Sequence, residues 1–331
     1  AGMKLIIATQ TSLALPLIQD LYARQQLAAV WLYDVTGEDS RQLAAQCAML
    51  GIPVQYMHPD NPQALIEHQR DVQADAIVSC YLSFLFPPAM VQALQGKLLN
   101  IHASDLPQWR GADPLFWQIS TGAESSCLTL HQIAEQADSG DILFQQEFAI
   151  HPYDTHQGLN LYLSQQMPLF IAQWWSSGGI DLKPQPQRVV QNTDKPATRP
   201  DINSAGINWQ QSGCLDIFNL ARACNPNLGG AAFSFNQEVL YLLEATPVRY
   251  PSYGLEAGTI VHIGEPEGLL VACHDGVLRL DVIYLSAGIF SGLRFAERYQ
   301  LQAGQRFDSY PITKREKQDG RNNSQYNELC R

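Results

Sequence analysis

Asn100 and His102 stand two residues apart at the end of the apolar run Leu98-Leu99-Asn100-Ile101-His102. Residues i and i+2 of a strand share one face, so this run predicts an amide and an imidazole projecting together while Ile101 turns to the opposite side. Ser104-Asp105-Leu106-Pro107 then breaks the strand into a loop. An amide N–H can stabilise a developing oxyanion and an imidazole can move a proton, which makes such a strand end a candidate site. Asp138, in Ala137-Asp138-Ser139-Gly140-Asp141, supplies a carboxylate that can orient an imidazole or relay a proton. Taken singly, each has an ordinary explanation. His102 could be a core histidine satisfied by a backbone partner, Asn100 a strand-end cap, and Asp138 the first residue of an Asx turn.

Their joint occurrence, in order and with Arg110-Gly111 and Pro114 between them, favours a site. The segment from Leu98 to Pro114 resembles the N-x-H-x-S-x-L-P-x-x-R-G signature of the formyltransferases that use 10-formyltetrahydrofolate. That family includes methionyl-tRNA formyltransferase, glycinamide ribonucleotide transformylase and the amino-sugar N-formyltransferases. Asp138-Ser139-Gly140-Asp141-Ile142-Leu143 is similar to the family's D-x-G-D-I-L, whose first aspartate is catalytic. The resemblance implies that Asn100, His102 and Asp138 are catalytic, that 10-formyltetrahydrofolate is the co-substrate, and that neither a metal nor a covalent intermediate is required. Asn100 would then donate to the oxyanion, a protonated His102 would give a second hydrogen bond, and Asp138 would orient the imidazole or relay the amine's proton.

The resemblance also implies that the loop bearing Ser104 and Arg110 borders the acceptor; from the residues alone, this loop reads equally as a capped, solvated turn. Asp141 reads as turn-shaping. The run Val78–Pro88 resembles the family's A-Y-G-x-I-L-P, which implies that Tyr81, Leu82, Ser83, Phe84, Leu85 and Phe86, together with Asp138, hold the folate. Here Leu82 replaces the usual glycine and Phe86 precedes the proline. Without the resemblance this run is a buried strand leading into a Pro-Pro helix start.

The elements that must position these residues alternate along the chain. Strands are expected at Lys4–Ala8, Ala28–Tyr33, Val54–Tyr56 and Ala76–Cys80, with helices around Leu13–Leu21, Ser40–Leu50 and Pro62–Gln69 between them. This α/β alternation predicts a Rossmann-like, mostly parallel sheet, and ligands of such sheets gather at the carboxyl ends of strands, where Asn100 and His102 fall. Cys127–Ile133 reads as a strand and Gly158–Ser176 as a helix whose Leu161, Leu163, Leu169, Phe170 and Trp174 can pack on the sheet. After a Pro-rich extended connection, a helix at Leu215–Ala223 precedes short strands with Gly turns at Ala232–Phe235, Glu238–Ala245, Gly258–Ile263, Leu269–His274 and Val277–Tyr284. Those suggest a small β-barrel. Ile207-Asn208-Trp209, Ala257-Gly258-Thr259-Ile260 and Val271-Ala272-Cys273-His274-Asp275-Gly276 resemble the oligonucleotide-fold-like C-terminal domain of the methionyl-tRNA and amino-sugar enzymes. Cys224–Ala231 departs from its P-x-P-G-A pattern. The expected organisation is a catalytic domain over 3–180, a linker over 181–206, a β-barrel over 207–313 and a disordered tail over 314–331.

Composition narrows the function classes. The 331 residues are 46% hydrophobic and 16% charged, enough to bury a sizeable core. No apolar run approaches membrane-spanning length, and Ala1-Gly2-Met3 reads as a short addition before a natural Met3 rather than part of a signal peptide, so a cytoplasmic location is expected. The seven cysteines are scattered without C-x-x-C or zinc spacing and read as reduced core residues. His151 with His156, and Cys273-His274-Asp275, read as loop and turn residues rather than metal ligands. The absence of G-x-G-x-x-G and P-loop patterns argues against dinucleotide or ATP chemistry.

Net charge is −11; residues 1–205 carry 10 Lys and Arg against 19 Asp and Glu, and residues 206–331 carry 11 against 13. Phosphate-rich partners are attracted by basic surfaces, so this distribution weakens the case for tRNA. The long basic loop that follows the second strand in methionyl-tRNA formyltransferases is replaced by Asp34-Val35-Thr36-Gly37-Glu38-Asp39, and Arg199-Pro200-Asp201 resembles the connector of the sugar enzymes. The favoured acceptor is the primary amine of a small molecule such as an amino sugar. Initiator methionyl-tRNA is the alternative, and a non-catalytic folate-binding relative is a second.

Overall fold

The computed structural model describes residues 2–33 and 36–311. These fall into two compact units. One comprises residues up to Leu115, Ser125–Ile150 and Gly158–Thr198; the other comprises Phe116–Glu124, His151–Gln157 and the chain from Arg199 onward.

The first unit is built on a seven-stranded sheet. Strands β1 (Leu5–Thr9), β2 (Leu27–Tyr33), β3 (Val54–Met57), β4 (Ala76–Ser79), β5 (Leu98–His102), β6 (Ser125–Gln132) and β7 (Ile142–Ala149) lie in the order β3-β2-β1-β4-β5-β6-β7. The first five are parallel; β6 runs antiparallel to β5, and β7 antiparallel to β6. Helices α1 (Leu15–Ala23), α2 (Glu38–Leu50), α3 (Pro62–Val72) and α4 (Pro88–Ala93) supply the crossovers that parallel pairing requires. All five residues of β1 and all four of β4 are buried, as expected of central strands covered on both faces. Ile6, Ala8, Trp31 and Ile77 pack with Leu65 of α3 and Met90 and Val91 of α4 in one apolar cluster.

Helix starts follow the sequence closely. Asn61 accepts from the Ala64 N–H and Pro62 occupies the first turn of α3, while α2 carries Glu38 and Asp39 in its first turn and ends on Gly51 in the left-handed region. Asp39 is also taken up locally, its carboxylate accepting from the Ser12 backbone and hydroxyl. Of the acidic loop expected after the second strand, Asp34 and Val35 lie outside the described residues, as does the tail from Lys314. Helix α5 (Pro114–Ser120) follows the loop after β5, and α6 (His156–Ser176) buries Leu163, Phe170 and Trp174. Leu161 and Leu169, expected to pack, are instead about half exposed.

The second unit holds helix α7 (Cys214–Ala223) and strands β8 (Ala231–Phe235), β9 (Glu238–Val248), β10 (Ile260–Gly264), β11 (Gly268–Cys273), β12 (Gly276–Leu285) and β13 (Gly288–Ser291), followed by α8 (Gly292–Arg298). The antiparallel order is β10-β11-β12-β9-β8, with β13 pairing β12. Residues 304–310, in which no strand was expected, join its two edges: Arg306 bridges Thr259 beside β10, and Asp308 bridges Ser234 on β8. Phe307 sits at that junction, fully buried against Trp209, Phe233, Phe235 and Phe295. The short β13 and α8 were also not anticipated, since Gly288–Arg298 lacks a clear apolar period.

Candidate active site

The site is assembled where the first sheet changes from parallel to antiparallel. In the β4–β5 ladder Ser79 stands beside Asn100; in the β5–β6 ladder Asn100 stands opposite His131 and His102 opposite Thr129. Cross-strand partners share a face, so Ser79, Asn100, His102, Thr129 and His131 form one polar patch across β4, β5 and β6. The β6–β7 connection then brings in Asp138, whose backbone is left-handed with φ 55°.

Gly140 makes this turn possible. A Cβ there would lie 1.7 Å from the Gln132 carbonyl oxygen, so no larger residue fits the D-S-G-D corner. Gly111 does the same for the loop after β5: its φ is +130°, and a Cβ would approach the Ala197 carbonyl oxygen to 2.5 Å. That loop is pinned to the connector through Trp109 N–H to the Lys195 carbonyl and Ala197 N–H to the Arg110 carbonyl. Its Gly111 N–H donates to Asp138 Oδ2 at 2.9 Å.

The hydrogen-bond partners fix the protons. His102 Nε2 lies 2.8 Å from the Trp109 carbonyl oxygen, which can only accept, so Nε2 carries a proton. Its Nδ1 faces Asp138 Oδ1 at 3.6 Å. Burial pushes the His102 imidazole below its ordinary pKa, and His131 adds to the drop, while Asp138 and the Trp109 carbonyl act the other way. Neutral His102 therefore presents an Nδ1 lone pair towards the carboxylate. Burial opposes ionisation of Asp138 too, but the two facing imidazoles, His131 and His102, and the Gly111 N–H outweigh it and hold the carboxyl below its usual range. The Asp138 side chain remains 16% exposed, so the carboxylate forms the open edge of a buried pair of histidines.

Asn100 is held at both ends of its amide. Ser79 Oγ donates to Oδ1 at 2.6 Å, and Nδ2 lies 3.1 Å from His131 Nε2. His131 Nδ1 lies 2.9 Å from the Gln132 carbonyl oxygen and so carries the proton, leaving Nε2 to accept from Asn100. An amide nitrogen has two protons, and His131 takes one of them.

Ser79, Thr129 and His131 were not singled out in the sequence, although Thr129-Leu130-His131 repeats the two-residue spacing of Asn100-Ile101-His102 and could have drawn attention. Ser104 is fully buried; its hydroxyl donates to the Gln108 carbonyl at 2.6 Å, and its own carbonyl accepts from Thr129 Oγ1. Arg110 is half-buried and donates to Gln187 Oε1. Residues 81–86 leave the carboxyl end of β4 as an irregular segment turned by left-handed Tyr81 (φ 52°). Phe84 packs inward between Tyr33 and Phe86, Leu85 is 81% exposed, and Ser83 is bonded through its N–H to Gln10. Burial raises the Tyr81 phenol above its ordinary pKa. Among the described residues, no group of three or more His, Cys, Asp or Glu side chains is placed to hold a metal ion, and no helix is long and apolar enough to cross a membrane.

Comparison with known proteins agrees with this architecture. Residues 4–170 match the family described as formyl transferase, and residues 202–296 match the formyl transferase C-terminal domain. Methionyl-tRNA formyltransferase of Paraburkholderia phymatum is 32% identical over 256 residues, 76% of each chain. Among solved structures, the N-formyltransferase from Helicobacter canadensis in complex with folinic acid and dTDP-3-aminofucose superposes with a TM-score of 0.60 at 20% identity, covering 87% of this chain and 100% of that one. HypX from Aquifex aeolicus in complex with tetrahydrofolic acid gives 0.57 at 16% identity over 94% of this chain, which spans about half (51%) of HypX. The structural likenesses carry the fold. The matched families and the 32% identical relative carry the membership: this chain is an enzyme of the formyltransferase family.

Proposed function

We propose that this enzyme moves the formyl group of 10-formyltetrahydrofolate to the primary amine of a small molecule such as an amino sugar, in the cytoplasm, with Asn100, His102 and Asp138 as its catalytic residues. The observation that carries the reading is the 3.6 Å gap between His102 Nδ1 and Asp138 Oδ1, beside an Asn100 amide held in place by its neighbours. An amine attacking a formyl carbon must shed a proton, the formyl oxygen must bear negative charge, and the departing nitrogen must regain a proton. Neutral His102 offers Nδ1 to the first proton, and Asp138 stabilises the imidazolium that results. The second N–H of Asn100 serves the oxyanion. Imidazolium then returns the proton to the departing nitrogen. On this geometry, the protonated His102 expected from the sequence is a stage reached during turnover, and the resting imidazole is neutral.

Residues 81–86, with aromatic Phe84 and Phe86 beneath an irregular backbone at the strand ends, suit a flat heterocycle, and the family's use of 10-formyltetrahydrofolate supports assigning them to it. Arg110 is assigned to the acceptor side. Ser104, buried and bonded to Gln108, is assigned to shaping the loop rather than touching substrate.

A second reading is favoured by the 32% identity to a methionyl-tRNA formyltransferase: the acceptor would be initiator methionyl-tRNA. The excess of acids in residues 1–205 weighs against it, because neutralising many phosphates requires a basic surface. Formylation of a panel of nucleotide-linked amino sugars and of initiator methionyl-tRNA, side by side at physiological salt, separates the two. Efficient turnover of the tRNA with none of the sugars would reverse the assignment.

A further inference from the structure

We propose that Gln187 is a positioning residue that ties the Asp138 turn to Arg110, so that one amide sets both the carboxylate beside His102 and the cation on the acceptor side. Resting on the formyl-transfer reading above, it adds a residue of the connector to the machinery of the site.

Gln187 follows an antiparallel bridge in which Gln185 and Ile142 exchange both backbone hydrogen bonds, at 2.8 and 2.7 Å, so its backbone is fixed two residues from a sheet edge. Its Nε2 donates to the Asp138 carbonyl at 2.8 Å and to the Gly140 carbonyl at 2.9 Å. Its Oε1 accepts from Arg110 Nη2 at 2.7 Å and Nε at 3.2 Å. Carbonyls only accept and a guanidinium only donates, so the amide has one possible orientation, and its full capacity of two donors and two acceptor sites is used.

The consequence for Asp138 is that it is gripped from two sides. Gln187 holds its backbone in the left-handed conformation that L-residues adopt only at a cost, and Gly111 holds its carboxylate. Gly111 is the neighbour of Arg110, which Gln187 also holds. A displacement at Gln187 therefore reaches Oδ1, 3.6 Å from His102, by two routes. Because Arg110 is paired with a neutral amide, its charge is not cancelled by that partner.

Two variants separate the ends of the amide. Gln187→Leu removes all four hydrogen bonds. Gln187→Glu keeps oxygen atoms for Arg110 but loses both N–H donors and sets a carboxylate against the Asp138 and Gly140 carbonyls. The first readout is the NMR titration of His102 in the full-length, ligand-free protein, where the groups facing the imidazole are Asp138, His131 and the Trp109 carbonyl. Gln187→Leu should lower the His102 midpoint by about half a unit, a fraction of the one to three units that a close opposite charge exerts, whereas the carboxylate added in Gln187→Glu pulls the midpoint the other way and should leave it above that of Gln187→Leu. The second readout is steady-state kinetics with an accepted amine: kcat should fall about tenfold in both, and the amine KM should rise in Gln187→Leu but not in Gln187→Glu. Arg110→Met, which leaves both Nε2 donations of Gln187 in place, should raise KM and shift the His102 midpoint less than Gln187→Leu does.

A lowered melting temperature with an unmoved His102 midpoint in folded Gln187→Leu would make Gln187 merely structural and overturn the proposal. Should Gln187→Leu fail to fold, Gln187→Met, which is neutral, keeps the length of the side chain and removes the same four hydrogen bonds, decides by the same criterion. If the unsubstituted protein formylates no amine, the functional reading fails while the titration still decides the coupling.

Discussion

The two units solve the same packing problem and treat their buried polar groups in opposite ways. In the second unit such groups are largely spent on the backbone. Arg222 is almost completely buried, yet its guanidinium is consumed by the His151 and Asp154 carbonyls and by Asn219 Oδ1, and Ser309 accepts from the Trp209 N–H and donates to Gln210. In the first unit, Ser79, Asn100, His131, His102 and Asp138 sit within reach of one another on one patch, and His102 Nδ1 and Asp138 Oδ1 face each other across 3.6 Å, beyond direct hydrogen bonding. A polar network that closes on itself rigidifies a fold; one with a gap at its open edge can accept a substrate. The comparison predicts that damage to the first patch costs turnover and damage to the second network costs stability.

The largest effect tests that division directly. His102→Ala or Asp138→Asn should lower formyl transfer by roughly 10²–10⁴-fold, the usual worth of a positioned acid or base, with the fold retained. Asn100→Ala should lose about 10²–10³, the scale for one oxyanion donor. Near-normal turnover by the His102 variant would remove the basis of the mechanism. Conversely, Phe307→Ala empties the aromatic junction where residues 304–310 close the second sheet, and should cost about 3–5 kcal/mol of unfolding free energy by denaturant titration. Its turnover per folded molecule should stay within a few-fold of the parent.

Arg222→Met should cost less and sharpens the same contrast. It keeps length and apolar contact over Phe218 but leaves two carbonyls and Asn219 without their donor, so a loss of about 1–3 kcal/mol is expected. Folate binding, followed by calorimetry with 5-formyltetrahydrofolate, should not change. A weakened folate affinity would mean that the second unit's network reaches into the chemistry, contrary to the comparison.

What the sequence revealed and concealed has a physical pattern. Strands such as Leu5–Thr9 and Ala76–Ser79 are short apolar runs between turn residues, so their existence and the parallel alternation were legible. Asn100 and His102 were visible because two polar residues at i and i+2 interrupt an apolar strand. His131 was hidden because its importance comes from register: only the antiparallel pairing of β5 with β6 puts it opposite Asn100. Gln187 was hidden for a related reason. It lies in a segment with no hydrophobic period, and nothing local says that its amide reaches Asp138 and Gly140, 49 and 47 residues earlier. Closure of the second sheet by residues 304–310 likewise depends on two isolated bridges from a stretch that never becomes a regular strand. Tertiary pairing supplied what period and propensity could not.

The smallest expected effect is also the most direct test of the resting protonation state. His102 is buried with its pKa pushed down, whereas in an unfolded chain a histidine titrates near 6.5. Above that value both states hold a neutral imidazole, and His102 contributes no pH dependence. As pH falls through about 6.5 the unfolded chain takes up a proton that the folded site resists, so stability declines until pH passes below the folded pKa. His68 shifts in the same direction, again chiefly by burial, and must be separated from His102. Comparing the unsubstituted protein with His102→Gln does this: the variant retains the His68 share, and its melting temperature should fall less steeply between about pH 8 and about pH 5 (about one and a half units either side of the reference value). An identical slope in the two proteins would mean that the fold does not push His102 below its ordinary pKa. A steeper fall in the variant would mean that the fold raises it, so that Nδ1 would carry a proton before the amine arrives and Asp138, rather than the imidazole, would have to receive the first proton of the reaction.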